Sequence, residues 1–168
     1  MNYFQLLGIE QKYDLDPKNL KQTYLRKQQE YHPDRAINDT IKKDNITKSM
    51  LINEAYKALS DELTRAEYLL KINDYILDDK TLSGKLSAGE FEAILDQYEI
   101  IDQIDELAEL QTKKREKIAE KSHLITELTR LFNDHKLSKA LDLTIRLKYL
   151  TKLVGNINRK IQYANTRD

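Results

Sequence analysis

The chain has 168 residues, of which 40% are hydrophobic and 33% are charged, and its formal net charge is zero. This balance fits one or two small helical domains and gives no global field that would attract nucleic acid or a membrane. No apolar stretch approaches the roughly 20 residues that span a bilayer, and the N-terminus has no apolar signal core. The absence of cysteine excludes disulfides and thiolate metal sites. We therefore expect a cytoplasmic protein.

Only four glycines and two prolines interrupt the chain, so an all-α fold is expected. The first long helix should begin at Asp16-Pro17, a capping side chain followed by proline. Its apolar side carries Leu20, Tyr24 and Tyr31. A second helix ends near Asp61, and its apolar positions at i, i+4 and i+7 are Ile52, Tyr56 and Leu59.

The tripeptide His32-Pro33-Asp34 separates these two helices. Pro33 has no N–H group and pushes His32 out of the helical region, so the first helix should stop there. The residues that follow, to about Asp39, are largely polar. The pattern predicts an antiparallel helical hairpin with a rigid, exposed tip.

The second half of the chain should form three long helices. A fourth helix of the first half is expected to end within 71–75, and residues 76–86 have no clear period and are interpreted as a linker. Ser87 and Glu90 form a capping-box pattern that should start a new helix. From there to Lys160 the chain is helical in character, with breaks expected near 111–112 and 133–135.

Each of these three helices has an apolar stripe, and three facing stripes predict a three-helix bundle. The last helix has a coiled-coil-like 3-4 spacing, formed by Ala140, Leu143, Leu147, Leu150, Val154, Ile157 and Ile161. The middle helix offers Ile118, Ile125, Leu128 and Phe132. The first helix of the three offers Ala93, Gln97, Ile100, Ile104 and Leu107.

The first helix of the bundle also has a second face, which is apolar with acidic edges. A helical wheel puts it roughly opposite the stripe, and its members are Phe91, Leu95, Tyr98, Glu99 and Asp102, with Ile94 toward its flank. On the last helix, Tyr149 falls about 130° from the centre of its own seam. Such a face is either buried on both sides or exposes a binding patch. Burial against the N-terminal half and burial in a homodimer both remain open.

The first half of the chain resembles a J-domain. The motifs that carry the resemblance are Tyr3-Phe4-Gln5-Leu6-Leu7-Gly8-Ile9, Tyr31-His32-Pro33-Asp34-Arg35, the run from Ile52 to Asp61, and Arg65-Ala66-Glu67-Tyr68. The resemblance implies docking on a 70-kilodalton heat-shock ATPase and stimulation of its ATP hydrolysis. The residues it implies for this contact are His32, Pro33, Asp34, Lys21, Arg26 and Arg35. Lys27 departs from the pattern, because J-domains usually place leucine at this inward-leaning position.

The whole chain is similar to the HscB co-chaperones of iron–sulfur cluster assembly, in the bacterial form that lacks an N-terminal cysteine module. This resemblance implies a J-domain over 1–75, a linker over 76–86 and a bundle over 87–168 that binds an IscU-type scaffold protein. The partner ATPase would be of the HscA or DnaK type. The scaffold-binding residues that it implies are Ile94, Leu95, Tyr98, Glu99, Asp102 and Tyr149. Tyr98 and Tyr149 stand where the family has leucine and phenylalanine.

We expect no enzymatic activity, no cofactor and no metal site. Glu120 and Glu127 flank His123 on one helix face, where simple charge pairs are common. The basic run 113–115 is better explained as solvated bundle surface than as a nucleic-acid contact. A second hypothesis is a general J-domain co-chaperone whose bundle is a dimerisation or structural module.

Overall fold

The computed structural model describes residues 1–77, 85 and 87–166, and every structural statement below concerns these residues. They form helices and turns without a strand, so the predicted all-α class is confirmed. The helices are α1 (Tyr3–Leu7), α2 (Pro17–Glu30), a 3-10 turn (Pro33–Arg35), α3 (Asp39–Ser60), α4 (Glu62–Lys71), α5 (Ala88–Gln103), α6 (Leu107–Asn133) and α7 (Leu137–Asn165).

The chain divides into two compact units, Met1–Asp74 and Tyr75–Asp168. Most of the predicted linker 76–86 lies outside the described residues, which omit 78–84 and 86. The linker therefore stays a prediction. Each unit is described by itself below.

In the first unit, α1 and α4 pack against the C-terminal half of α3. The fully buried side chains here are Phe4, Leu7, Ile52, Ala55, Leu59, Ala66 and Leu70. The ring of Tyr3 stacks on that of Tyr68 at 4.3 Å, and the Tyr3 backbone N–H donates to the Tyr68 hydroxyl at 2.8 Å. These contacts close the N-terminus of the chain onto α4.

Arg65 is a buried cation of α4 with defined partners. Its Nη1 donates to the backbone carbonyl of Leu59 at 2.7 Å, and its guanidinium lies 5.1 Å from the ring centroid of Tyr13. A buried guanidinium is tolerated only when it is hydrogen-bonded. The Arg65 to Tyr68 segment therefore has a structural role in closing this core.

The predicted ends of α2 are confirmed. The Asp16 side chain accepts from the Lys18 backbone N–H, and Pro17 occupies the first turn. The helix ends at Glu30, before Pro33 can remove a hydrogen-bond donor from it. The hairpin partner α3 begins where the Asn38 side chain accepts from the backbone N–H of Ile41.

In the second unit, α6 and α7 form a long antiparallel hairpin, and α5 packs on it. The capping box of Ser87 and Glu90 starts α5 as predicted. The break between α6 and α7 falls at residues 134–136, within the predicted region, but the break between α5 and α6 falls at 104–106 rather than near 111–112. Thr112 is tolerated inside α6 because its hydroxyl donates to the carbonyl of Ala108, one turn earlier.

The predicted stripe of α5 is wrong by one residue. Ile100 is 53% exposed, whereas its neighbour Ile101 is 2% exposed and belongs to the core with Ile104. Because α5 ends at Gln103, Ile104 is a C-cap and does not extend the helical wheel. When Ile104 is left out of the helical wheel, the stripe of α5 that passes through Ile101 has more apolar side chains than the stripe that passes through Ile100.

The stripes of α6 and α7 are partly confirmed. Leu128 and Phe132 are buried, but Ile118 is exposed. On α7 the predicted members Ala140, Leu147, Leu150 and Ile157 are buried. That helix buries further residues because two helices pack on it, and these are Leu141, Thr144, Ile145 and Leu153.

Candidate functional site

The His-Pro-Asp tip is held in one conformation by short-range hydrogen bonds. The backbone N–H of Asp34 donates to His32 Nδ1 at 3.2 Å, and the N–H of Arg35 donates to the His32 carbonyl at 3.0 Å. The side chains remain accessible, with exposed fractions of 56% for His32 and 85% for Asp34. His32 Nδ1 also lies 3.6 Å from a carboxylate oxygen of Asp34. The hydrogen bonds thus fix the backbone of the tip and leave the imidazole and the carboxylate exposed to solvent.

Residues behind the tip attach it to the hairpin. Arg35 Nη1 donates to the Gln29 carbonyl at 3.2 Å. Asn45 Nδ2 of α3 donates to the His32 carbonyl at 3.4 Å. Asn45 was missed by the sequence reasoning, because apolar periodicity carries no information about a side-chain amide that faces a turn.

Two ammonium groups lie near the ring of Tyr31. Lys48 Nζ is 4.8 Å from the ring centroid and Lys27 Nζ is 5.6 Å from it. A hydrogen bond with Glu30 raises the pKa of the Tyr31 hydroxyl, and the hydrogen bond from Lys27 lowers the pKa of the Glu30 carboxyl. The Lys27 ammonium thus lies near the ring and pairs with Glu30 at 3.2 Å. The inward-leaning lysine is accommodated in this way.

The other cations predicted for the ATPase contact lie at the surface. Lys21 and Arg26 are exposed on α2. Leu25, also exposed, lies between them along the helix. The exposed surface of α2 therefore carries an apolar side chain as well as these cations.

The acidic–apolar face of α5 is exposed along most of its length. Leu95 is 52% exposed, and Phe91, one turn before it, is exposed too. Glu99 and Asp102 continue this stripe toward the C-terminus of α5, and both are exposed. The carbonyls of Ile101 and Asp102 accept from Lys160 Nζ at 3.0 and 2.6 Å, so a lysine of α7 compensates the negative end of α5.

The two tyrosines of the predicted patch meet between α5 and α7. The Tyr98 hydroxyl donates to the Tyr149 carbonyl at 3.4 Å, and the Tyr98 ring packs against the core cluster that includes Ile101 and Leu153. Burial raises the pKa of Tyr98, and the neighbouring Tyr149 adds to the shift. The prediction that Tyr98 lies outside the seams is therefore wrong in part, since its ring is half-buried at the edge of the exposed stripe. Tyr149 is half-buried as well.

A groove of about 330 Å³ opens beside these tyrosines, between α5 and the α6–α7 hairpin. Its apolar lining includes Ala93, Ile94, Leu124, Leu150 and Leu153. Two ion pairs flank it: Arg146 with Glu90 at 2.6 Å and Lys117 with Glu120 at 2.9 Å. Ile94 and Tyr98 thus face both the groove and the exposed stripe.

Across 1–77, 85 and 87–166, His, Asp and Glu side chains do not gather into a group of three that could hold a metal ion. In the same residues, each helix is too short or too polar to cross a membrane.

Comparison with known proteins identifies the family. The DnaJ domain model matches residues 2–68, and the model of the HSCB C-terminal oligomerisation domain matches residues 92–158. The co-chaperone HscB of Buchnera aphidicola subsp. Acyrthosiphon pisum is 36% identical over 118 residues, which are 69% of this chain and 66% of that protein. The HscB homolog of Acinetobacter baumannii is 31% identical over 164 residues, which are 95% of this chain and 90% of that protein. The chain belongs to the HscB family of co-chaperones.

Solved structures agree with this assignment. The chaperone HscB from Vibrio cholerae has a TM-score of 0.77 and 26% identity, and the match covers 95% of this chain and 96% of that one. Human co-chaperone protein HscB has a TM-score of 0.87 at 22% identity, and the match covers 95% of this chain and 82% of that one. At this level of identity, the similarity to the human protein supports the fold of this chain and nothing further.

Proposed function

We propose that this HscB-family protein binds an IscU-type iron–sulfur scaffold protein and delivers it to a 70-kilodalton heat-shock chaperone of the HscA or DnaK type. It would stimulate ATP hydrolysis by that chaperone during iron–sulfur cluster maturation, without chemistry or a cofactor of its own. The observation that carries the proposal is one chain with two exposed surfaces of different character. One is the His-Pro-Asp tip, and the other is the acidic–apolar stripe of α5.

The tip suits a trigger of another protein's catalysis. His32 and Asp34 are exposed, while the backbone around them is fixed by hydrogen bonds to the imidazole and to the His32 carbonyl. A preorganised contact loses little conformational entropy on binding. The exposed cations Lys21, Arg26 and Arg35 would steer this unit toward an acidic surface of the ATPase.

The α5 stripe suits a protein partner. Leu95, with Ile94 and the tyrosines at its flank, offers apolar surface, and Glu99 and Asp102 form a charged rim. Interfaces commonly combine an apolar centre rich in aromatic residues with a polar edge. We assign scaffold binding to Ile94, Leu95, Tyr98, Glu99, Asp102 and Tyr149.

The experiment for the tip is a single-turnover ATPase assay with a purified bacterial 70-kilodalton heat-shock chaperone. We expect His32→Gln and Asp34→Asn to abolish stimulation with little change in helical signal or melting temperature, because exposed positions rarely cost more than about 0.5 kcal/mol. Asp14→Asn is the matched control, since Asp14 is an exposed aspartate that precedes α2, whereas the tip follows the other end of that helix. Normal stimulation by folded Asp34→Asn would refute the proposed role.

The alternative is a general J-domain co-chaperone with an oligomerising bundle. The observations that favour it are the exposed apolar side chains of α5 and the matching family model, which is that of an oligomerisation domain. Sedimentation of the whole chain separates the two proposals. Scaffold capture requires a monomer with a free stripe, whereas dimerisation should be weakened by Leu95→Ala.

A further inference from the structure

Besides the stacked rings of Tyr24 and Tyr56, whose centroids are 4.2 Å apart, the α2–α3 hairpin is joined by a set of polar contacts. The Tyr24 hydroxyl donates to Asn53 Oδ1 at 2.9 Å. Gln28 Nε2 donates to the same Asn53 oxygen at 2.8 Å and to the Ser49 carbonyl at 3.1 Å. The Ser49 hydroxyl donates back to Gln28 Oε1 at 2.7 Å.

These contacts form a regular ladder that leads to the tip. Its rungs join Tyr24 to Asn53, Gln28 to Ser49, and His32 to Asn45. On the α2 side, each rung lies four residues further along the chain than the rung before it, and the last one falls just after the helix ends. On the α3 side, each rung lies four residues back, which is about one helical turn. The last rung holds the carbonyl of the tip histidine. The ladder is therefore a continuous connection between the middle of the hairpin and the functional loop.

The ladder permits one register. Gln28 uses both of its N–H donors and its carbonyl oxygen, so its amide orientation is determined by its partners. A slip of one residue along α3 would place Lys48 or Met50 opposite Gln28. Met50 has no donor for Gln28 Oε1. With Lys48 in that place, Ile52 would replace Asn53 and could not accept from Gln28 Nε2. Either slip leaves a polar group of the ladder without its partner, which is costly where that group is withdrawn from water. Apolar side chains are less directional, and single polar residues are known to specify register between packed helices.

We propose that Gln28, Ser49 and Asn53 are positioning residues that lock the register of the hairpin and thereby orient His32-Pro33-Asp34. A slip of one residue would shift α2 by about 1.5 Å along its axis, and the tip would move with it. A displacement of this size is enough to misalign groups that must meet a partner in a defined geometry. The inference rests on the proposed function for its activity readout only, since the orientation of the tip can be measured in the free protein.

The test uses Ser49→Ala, which removes the hydroxyl donor, and Ser49→Thr, which restores it. Thr47→Ala is the control, because Thr47 is an exposed hydroxyl residue of α3 whose bond goes to its own helix at Lys43. Gln28→Leu removes the central rung with a side chain of similar size. All are made in the full chain, and circular dichroism verifies that each is folded.

In the ATPase assay, we expect Gln28→Leu and Ser49→Ala to lower the maximal stimulated rate at least fivefold. The concentration for half-maximal stimulation should change less than twofold, because the exposed cations Lys21 and Arg26 of α2 are unchanged in these variants. Ser49→Thr should recover the rate to within twofold of the parent chain, and Thr47→Ala should match the parent. If Gln28 and Ser49 served only to stabilise the fold, their variants would have a lower melting temperature. The maximal stimulated rate would then not fall separately from the concentration for half-maximal stimulation.

A second readout needs no ATPase. In nuclear magnetic resonance spectra, Ser49→Ala and Gln28→Leu should shift the Asp34 amide resonance, since that N–H donates to His32 Nδ1, and Ser49→Thr should restore it. If Gln28→Leu does not fold, the Ser49 variants decide. An unshifted Asp34 amide together with a full maximal rate in folded Ser49→Ala would overturn the register lock. If the parent chain itself does not stimulate, the proposed function fails, and the Asp34 amide alone decides the lock.

Discussion

Leu95→Ala and Ile100→Ala form a matched pair that tests where the partner-binding face of α5 lies. The two side chains are 52% and 53% exposed on the same helix. Five residues of helix separate them, which places them about 140° apart around its axis. Both substitutions should therefore cost a similar free energy of unfolding, roughly 1 kcal/mol or less, so any difference in binding reflects the face that is covered.

The expected binding effect follows from the exposed half of Leu95. Full burial of a leucine side chain contributes about 1.5–3 kcal/mol, so covering the exposed half contributes about 1 kcal/mol. That free energy corresponds to a roughly fivefold increase in Kd for Leu95→Ala. Ile100→Ala should stay within about twofold of the parent chain, because Ile100 lies outside the stripe.

The assay is isothermal titration calorimetry of each variant against an IscU-type scaffold. The heat capacity change on binding should also become less negative for Leu95→Ala alone, because less apolar surface is buried. An equal loss of affinity in both variants, or a loss for Ile100→Ala only, would refute the assignment of the binding face.

Three further predictions concern stability. Gly155→Ala should raise the free energy of unfolding by about 0.5–1 kcal/mol in urea titrations, because Gly155 is inside α7 and an added Cβ meets open space. Arg65→Leu should lower it by about 2 kcal/mol or more, because a buried carbonyl loses its donor. Hydrogen bonds from the backbone and side chain of Ser87, followed by Arg146, lower the pKa of Glu90 from its ordinary 4.5. The cap of α5 should therefore be intact above pH 4.5 and be lost as the pH falls through that lowered pKa, a dependence that Glu90→Gln should remove in spectra of the Ser87 amide.

The first unit was predictable because local signals decide its helix ends. Asp16 caps α2 through its own side chain, and Pro33 keeps His32 extended, so that the first arm of the hairpin cannot continue. The ladder was not predictable in the same way. Gln28 and Ser49 are separated by 21 residues, and a pattern built on apolar periodicity treats both as solvent-exposed positions.

The second unit was less predictable at α5. The helix was expected to continue past Ile104, and the stripe drawn through Ile104 selected Ile100 in place of Ile101. The end of α5 receives a contact from Lys160, 58 residues away from Asp102. Such a long-range contact leaves no local signal near the break. Leu95 and Asp102 are exposed, as expected for residues outside the seams of the bundle. Tyr98 is instead half-buried, because its ring packs against the core.

The proposed function requires that one chain carry both the tip and the α5 stripe. The most direct measurement mixes two full-length variants in the single-turnover ATPase assay with scaffold present. His32→Gln retains the stripe and lacks the tip, whereas Leu95→Ala with Tyr149→Ala retains the tip and lacks the stripe. Binding in one chain makes the second contact effectively intramolecular, so the mixture should show none of the scaffold-dependent stimulation seen with the parent chain at equal low concentration. Full stimulation by the mixture would contradict the account and favour assembly of the bundles into an oligomer.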